Sequence, residues 1–242
     1  MTYGEVLLWF VVPPIVVLAP LGVSGLRTYG GRGWLSVPAV ALIAFSYAAP
    51  WDNYLIWRGV WNSPPDRILG RILYVPVEEY AFFVLQPLLT GAWFGVVLRR
   101  LRLRSFPSGS NLGALAWAGV LMVGLAFWAR PGSLYLGTLL VWVALPLAGM
   151  WWYRGGWLRR NWIPLSAAVI PPTGYLWWVD HLALGEGTWF ISADHTVGVS
   201  VVGIPIEEAL FFLLTNVLVV VGMGLFLEPA IDQPSSTAPS TS

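Results

Sequence analysis

Hydrophobic residues along this chain fall into seven long runs, separated by short stretches that hold most of the charged side chains. The runs cover 5–22, 34–51, 76–98, 112–129, 133–153, 161–179 and 204–227. Each run approaches the ~20 apolar residues that a helix needs to cross the hydrocarbon core of a bilayer. The pattern therefore predicts an all-α integral membrane bundle of seven transmembrane helices.

Composition favours a lipid environment over water. Hydrophobic residues make up 57% of the chain and charged residues 10%, and the mean hydropathy is +0.70. A soluble domain of this composition would expose a large apolar surface, so we expect membrane lipids as partners. A net charge of +1 offers no basic field for nucleic acid, and the absence of cysteine excludes thiolate chemistry. All 13 basic residues are arginines, which excludes a lysine Schiff base of the kind that holds retinal.

The distribution of arginines predicts the orientation in the membrane. Nine of them lie in the loops after the first, third and fifth runs, and the opposite side carries four: Arg58, Arg67, Arg71 and Arg130. The arginine-rich side should be cytoplasmic. We therefore expect a multi-pass protein of the cell membrane with its N-terminus outside and its C-terminus in the cytoplasm. Ten of the 12 acidic residues then lie toward the outer side.

The second half of the chain repeats the first at a spacing of 128 residues, which becomes 129 after one inserted residue. The matched pairs include Asp52 with Asp180, Trp61 with Trp189, Glu78 with Glu207, and Glu79 with Glu208. Because the copies are offset by four runs, an even number, they enter the membrane in the same direction. We expect two parallel three-helix repeats, 1–98 and 133–227, joined by a connector with the fourth helix, 99–132, and followed by a disordered tail, 228–242.

A Pro-x-Glu-Glu motif opens both the third and the seventh run. Proline suits the first position of a helix, and the glutamates would then meet the positive end of the helix dipole. Acidic residues inside a membrane are costly and usually functional. Crowded carboxyl groups titrate at different pH values, so one can donate a proton while another accepts one. The motifs predict acid–base catalysis, without a metal or a redox cofactor, by Glu78, Glu79, Glu207 and Glu208.

The depth of these glutamates in the membrane stays open at the level of sequence. If the two helices begin at Pro76 and Pro205, the carboxyl groups lie near the outer interface. If the helices begin near Gly70 and Gly198, the carboxyl groups lie roughly a dozen Å deeper and the prolines become kinks.

Polar pairs and aromatic residues accompany both motifs. Asp52-Asn53 and Asp180-His181 end the second and sixth runs, and we expect them to hydrogen-bond the glutamates, with solvation at a helix end as the alternative. His181 and His195 have no counterpart in the first repeat and no second ligand motif beside them, so no metal site is predicted. Aromatic side chains can form the membrane-interface belt or stabilise a carbocation. The candidates for substrate binding are Phe82, Phe83, Phe211, Phe212, Tyr47 and Tyr175.

Three segments resemble a known family: Ala49-Pro50-Trp51-Asp52-Asn53-Tyr54, residues 74–83 and residues 204–212. Together they look like the membrane-embedded lycopene cyclase domain of archaea, of some bacteria as two subunits, and of fungal bifunctional proteins. The likeness runs from Met1 to about Leu227. It implies an isomerase that converts lycopene through γ-carotene to β-carotene and needs both Pro-x-Glu-Glu motifs. The two repeats resemble the two bacterial subunits fused into one chain.

Two other functions, a hydratase and a transporter, remain compatible with the sequence, and a third, a prenyltransferase, lacks its motif. A carotenoid hydratase would use the same acid chemistry and let water quench the cation. A membrane prenyltransferase needs clustered aspartates for a diphosphate-bound magnesium ion, which Asp52 and Asp66 do not form. A proton-coupled transporter would also suit parallel repeats with buried acids. The oligomeric state is not readable from the sequence.

Overall fold

The computed structural model describes residues 1–105 and 112–228, and most of them are helical. The first helix, α1 (Tyr3–Val6), continues through a π-helical turn, Leu7–Val11, into α2 (Val12–Leu26). The further helices are α3 (Gly30–Trp57), α4 (Val77–Leu98), α5 (Leu112–Trp128), α6 (Leu134–Arg160), α7 (Trp162–Gly185) and α8 (Ile206–Leu227). Several helices extend beyond the apolar runs, because the polar residues at the ends of the runs are helical as well. Asp52 and Asp180 therefore lie inside α3 and α7 rather than after them.

Within the described residues, four helical stretches are long and apolar enough to cross a membrane: Tyr3–Trp57, Val77–Leu98, Pro131–Arg160 and Ile206–Leu227. Leu112–Trp128 is a shorter apolar helix. Leucine, isoleucine and valine side chains stand exposed on the outside of the bundle, where lipid can cover them. The chain is thus an all-α membrane protein.

The C-terminal end of the described chain is anchored by one ion pair. Glu228 is buried and lies 3.0 Å from the guanidinium of Arg154, the residue at which α6 departs from helical geometry. Residues 229–242, where we expected most of the disordered tail, lie outside the described part.

Glycines let α2 and α4 pack closely. A Cβ on Gly25 would lie 1.9 Å from the carbonyl oxygen of Gly95, and a Cβ on Gly22 would lie 2.3 Å from that of Ala92. Small residues at a crossing allow such an approach between membrane helices, where packing rather than water drives association.

A buried polar network joins α4, α7 and α8. The side-chain oxygen of Asn216 accepts hydrogen bonds from Gln86 and Thr90, both at 2.6 Å, and its amide nitrogen donates to Thr173 at 3.0 Å. Hydrogen bonds of this kind contribute about 1 kcal/mol each between membrane helices. The network holds the three helices in one register.

Short antiparallel strands cover one end of the bundle. Their ranges are β1 (Trp61–Asn62), β2 (Arg71–Ile72), β3 (Val75–Pro76), β4 (Phe190–Ile191), β5 (Ser200–Val201) and β6 (Ile204–Pro205). β1 pairs with β4 and so ties the first half of the chain to the second. β2 and β3 form a hairpin before α4, and β5 and β6 form one before α8.

The hairpins set the start of the two motif helices. Pro76 and Pro205 are extended, with ψ 143°, because each is paired across its hairpin, and each precedes its helix. The prediction that these prolines take the first helical position is therefore wrong by one residue. The helices do begin at the motifs rather than near Gly70 and Gly198, so the glutamates stand in the first helical turn.

Candidate active site

One carboxyl group from each motif reaches a shared internal chamber. Glu79 of α4 and Glu208 of α8 line a cavity of about 60 Å³ together with Asp52 of α3 and Asp180 of α7. All four side chains are at least nine-tenths buried. The chamber lies where α4, α6 and α8 begin and α3 and α7 approach their ends. We call it the acidic chamber.

Each chamber glutamate accepts a hydrogen bond from a buried tyrosine. The hydroxyl of Tyr3, in α1, donates to Glu79, and the hydroxyl of Tyr135, in α6, donates to Glu208 at 2.7 Å. Both tyrosines line the acidic chamber. The sequence pattern did not point to them, because they are 132 residues apart and the 128-residue repeat therefore does not align one with the other.

Asp52 and Asp180 bind tryptophans instead of the glutamates that we expected. One oxygen of Asp52 accepts from Nε1 of Trp61 at 2.8 Å, and one oxygen of Asp180 accepts from Nε1 of Trp189 at 2.9 Å. Their second oxygens are buried with no hydrogen-bond partner within the described chain. Because both groups are buried, the alternative of solvation at a helix end is also wrong.

The neighbours of these aspartates, Asn53 and His181, make their contacts elsewhere. Asn53 donates to the carbonyl of Ala49 and the hydroxyl of Tyr80 and accepts from the backbone N–H of Tyr74, so it secures the first hairpin. The ring of His181 is exposed and lies against Gly203, where a Cβ would be 2.7 Å from it. Neither residue lines the acidic chamber.

The other glutamate of each motif, Glu78 or Glu207, accepts a hydrogen bond from the backbone of a preceding loop. Oε1 of Glu78 accepts from the backbone N–H of Leu69 at 2.7 Å, and Oε1 of Glu207 accepts from that of Val197 at 2.8 Å. Both glutamates are buried, and neither lines the chamber. The fold thus separates two adjacent acids, because consecutive residues point about 100° apart on a helix.

A second cavity, of about 660 Å³, runs beside the chamber between α3, α4, α6 and α8, and we call it the apolar groove. Its wall is hydrocarbon apart from a few polar side chains such as Gln86 and Thr215. Phe82 and Phe211 line both the groove and the acidic chamber. The two spaces therefore adjoin at these two rings.

The remaining aromatic candidates divide between the two spaces. Phe83 and Tyr47 line the groove, and Phe212 lines the chamber. Tyr175 lines neither cavity, and its hydroxyl donates to the carbonyl of Phe10 at 2.6 Å. The prediction that Tyr175 contacts substrate therefore finds no support in its placement.

A column of stacked rings connects groove and chamber. Tyr47 stacks on Trp142 at 5.1 Å between ring centroids, Trp142 on Trp51 at 4.7 Å, and Trp51 on Phe211 at 5.8 Å. Trp51 also lines the chamber. Such π faces attract a positive charge on a bound molecule.

Within residues 1–105 and 112–228, no three histidine, aspartate or glutamate side chains are arranged to hold a metal ion.

Comparison with known proteins gives one family. The model of the lycopene cyclase family matches residues 6–97 and 132–226. A lycopene beta-cyclase of Halobacterium salinarum is 37% identical over 219 residues, which cover 88% of this chain and 91% of the relative.

Fungal proteins match over a part of their length. A bifunctional lycopene cyclase/phytoene synthase of Colletotrichum graminicola is 38% identical over 204 residues, 77% of this chain and 34% of the relative. The corresponding protein of Neurospora crassa is 34% identical over 242 residues, 93% of this chain and 39% of the relative. No solved structure matches significantly. On the family match and the archaeal relative, the chain belongs to the lycopene cyclase family.

Proposed function

We propose that this protein is a lycopene β-cyclase that converts lycopene through γ-carotene to β-carotene. The observation that carries the proposal is the junction of the acidic chamber with the apolar groove at Phe82 and Phe211. A long hydrocarbon can lie in the groove while its end group enters the chamber. There it meets buried carboxyl groups from both motifs.

Ring closure needs one proton donor and one proton acceptor. One chamber glutamate, as the neutral acid, adds a proton to the terminal double bond of the substrate and leaves a tertiary cation. The neighbouring double bond attacks that cation and closes a six-membered ring. The other glutamate, as the carboxylate, removes a ring proton and restores a double bond. One proton enters and one leaves, so the reaction is an isomerisation without a redox change.

We assign the two proton transfers to Glu79 and Glu208 and give Glu78 and Glu207 a structural role. The first pair lines the chamber, whereas the second pair binds loop backbone. Water in the chamber would trap the cation as an alcohol, so a small and largely apolar space favours cyclisation over hydration. The rings of Trp51 and Phe211 are suited to stabilising the cation before it loses its proton.

The proposal includes an arrangement in the membrane. We infer seven spans, with 1–98 and 133–227 as parallel three-helix repeats, 99–132 as the connector, and the N-terminus outside a cell membrane. Matching contacts in the two halves support the repeat. The two aspartate–tryptophan bonds recur at a spacing of 128 residues, and the hairpins before α4 and α8 and the two loop-binding glutamates recur at 129. Both chamber glutamates then face the outer half of the bilayer.

Carotenoid analysis of cells that accumulate lycopene tests the function. We expect the wild-type chain to produce β-carotene, and a chain with both Glu79→Gln and Glu208→Gln to leave lycopene unchanged at equal protein level. A hydroxylated acyclic product would identify a hydratase instead. Unchanged lycopene with the wild-type chain, together with proton-coupled uptake in vesicles, would identify a transporter.

A further inference from the structure

The two tyrosines of the acidic chamber form matching pairs with the two chamber glutamates. Tyr3 and Tyr135 are each less than 5% exposed, and each hydroxyl has a carboxyl oxygen as its acceptor. One oxygen of Glu79 and one of Glu208 are engaged in this way. The second oxygen of each carboxyl group remains for the chamber.

We propose that Tyr3 and Tyr135 are positioning residues that aim these second oxygens at the substrate. The inference rests on the proposed function and extends it to residues outside the Pro-x-Glu-Glu motifs. A glutamate side chain has several rotamers, and a hydrogen bond from a fixed donor selects one of them. Proton transfer to a carbon atom demands this selection, because small errors in the position of the donor are costly in rate.

Tyr3 is held in place by both halves of the chain. The carbonyl of Met1 accepts from Arg67 at 2.8 Å and from Thr188 at 3.0 Å, and the ring of Tyr3 packs 4.8 Å from that of Trp189. A reciprocal hydrogen-bond pair between Thr2 and Glu5 caps the helix that Tyr3 opens. The hydroxyl is therefore presented from a rigid support.

Tyr135 has a comparable support on the other side. It lies at the start of α6, its backbone carbonyl accepts from Thr138 at 3.0 Å, and its ring packs 6.3 Å from that of Trp51. Trp51 belongs to the aromatic column between groove and chamber. A shift of Tyr135 would therefore move Glu208 and the chamber wall together.

Tyrosine-to-phenylalanine variants of the purified protein test the proposal. Tyr3→Phe and Tyr135→Phe keep the ring and delete only the hydroxyl. We expect each to lower kcat by about tenfold to a hundredfold, the effect of one hydrogen bond to a charged group, with KM for lycopene within twofold of wild type. Tyr54→Phe is the control, because its hydroxyl binds Arg58 and Trp128 outside the chamber and the groove. It should keep the wild-type kcat.

Infrared spectroscopy separates positioning from a general loss of packing. The band that disappears in Glu79→Gln identifies that group: a C=O stretch for the neutral acid or a carboxylate stretch for the ionised form. Either stretch responds to a hydrogen bond at the carboxyl oxygen, so this band should move in Tyr3→Phe and stay in place in Tyr54→Phe. Wild-type kcat and an unmoved band in Tyr3→Phe would overturn the proposal. A wild-type chain that forms no β-carotene would instead overturn the proposed function.

Discussion

Replacing the two glutamates of one motif should have different effects: one replacement should lower stability and the other should lower activity. Glu78→Ala deletes the acceptor of the Leu69 N–H, and Glu79→Gln removes one of the two proton-transferring groups from the chamber while keeping its shape. The first change should lower stability and leave the chemistry of the folded protein intact. The second should abolish the chemistry and leave stability nearly unchanged.

The size of the stability loss follows from the contacts of Glu78. The Leu69 N–H, left buried without its acceptor, costs roughly 1–3 kcal/mol, and the one methylene that alanine lacks contributes about 0.8 kcal/mol more. Part of this is offset, because Oε2 of Glu78 is buried with no hydrogen-bond partner in the described chain. A net loss of about 1–3 kcal/mol corresponds to roughly 2–12 °C in Tm for a chain of this size.

The rate loss in Glu79→Gln should be much larger than any change in its Tm. A glutamine oxygen still accepts from Tyr3, so the fold keeps this hydrogen bond. Loss of one general acid or base lowers a rate by about 10²–10⁴-fold. The assay is thermal unfolding in detergent, together with β-carotene formation per folded molecule.

Glu207→Ala and Glu208→Gln repeat the comparison in the second half of the chain. An inactive Glu78→Ala protein with wild-type Tm, or a fully active Glu79→Gln protein, would refute the division of roles.

Three further changes test packing and the groove. Gly25→Val should destabilise the α2–α4 crossing by about 3 kcal/mol or more, seen as a lower Tm in detergent. Gly222→Phe should fill the groove and slow lycopene turnover on the order of a hundredfold. The control Gly149→Phe projects into open space and should keep the wild-type rate. Equal rates in the two variants would contradict the role of the groove. Asn216→Leu should lower stability by about 1–3 kcal/mol, because Gln86 loses its acceptor, and an unchanged Tm would contradict the network.

The helices and the acidic centre could be anticipated because their signals are local or repeated. Apolar runs of bilayer length mark the helices, and the repeat brings Glu79 and Glu208 into equivalent places. The hairpins could not be anticipated. Their turns use Leu73 and Val202 at positive φ in place of the usual Asn-Gly or Asp-Gly signal. The conformation is imposed by the surrounding structure and not by local preference.

The different roles of the two glutamates in each motif could not be predicted from the sequence either. Glu78 and Glu79 are adjacent, and only the packing of α4 decides which one faces the chamber. Tyr3 lies 76 residues before Glu79 in the chain, and Tyr135 lies 73 residues before Glu208. Such contacts depend on how the helices assemble, and a single sequence without an alignment does not reveal them.

The central claim is that one acidic chamber, built by both motifs, closes every ring. The direct measurement supplies purified Glu79→Gln and Glu208→Gln with lycopene and, separately, with γ-carotene. We expect each single variant to lose both ring closures to the same extent, since each removes half of one shared acid–base pair. A variant that forms γ-carotene from lycopene at the wild-type rate but fails to convert γ-carotene would contradict it, because each motif would then serve its own end of the substrate.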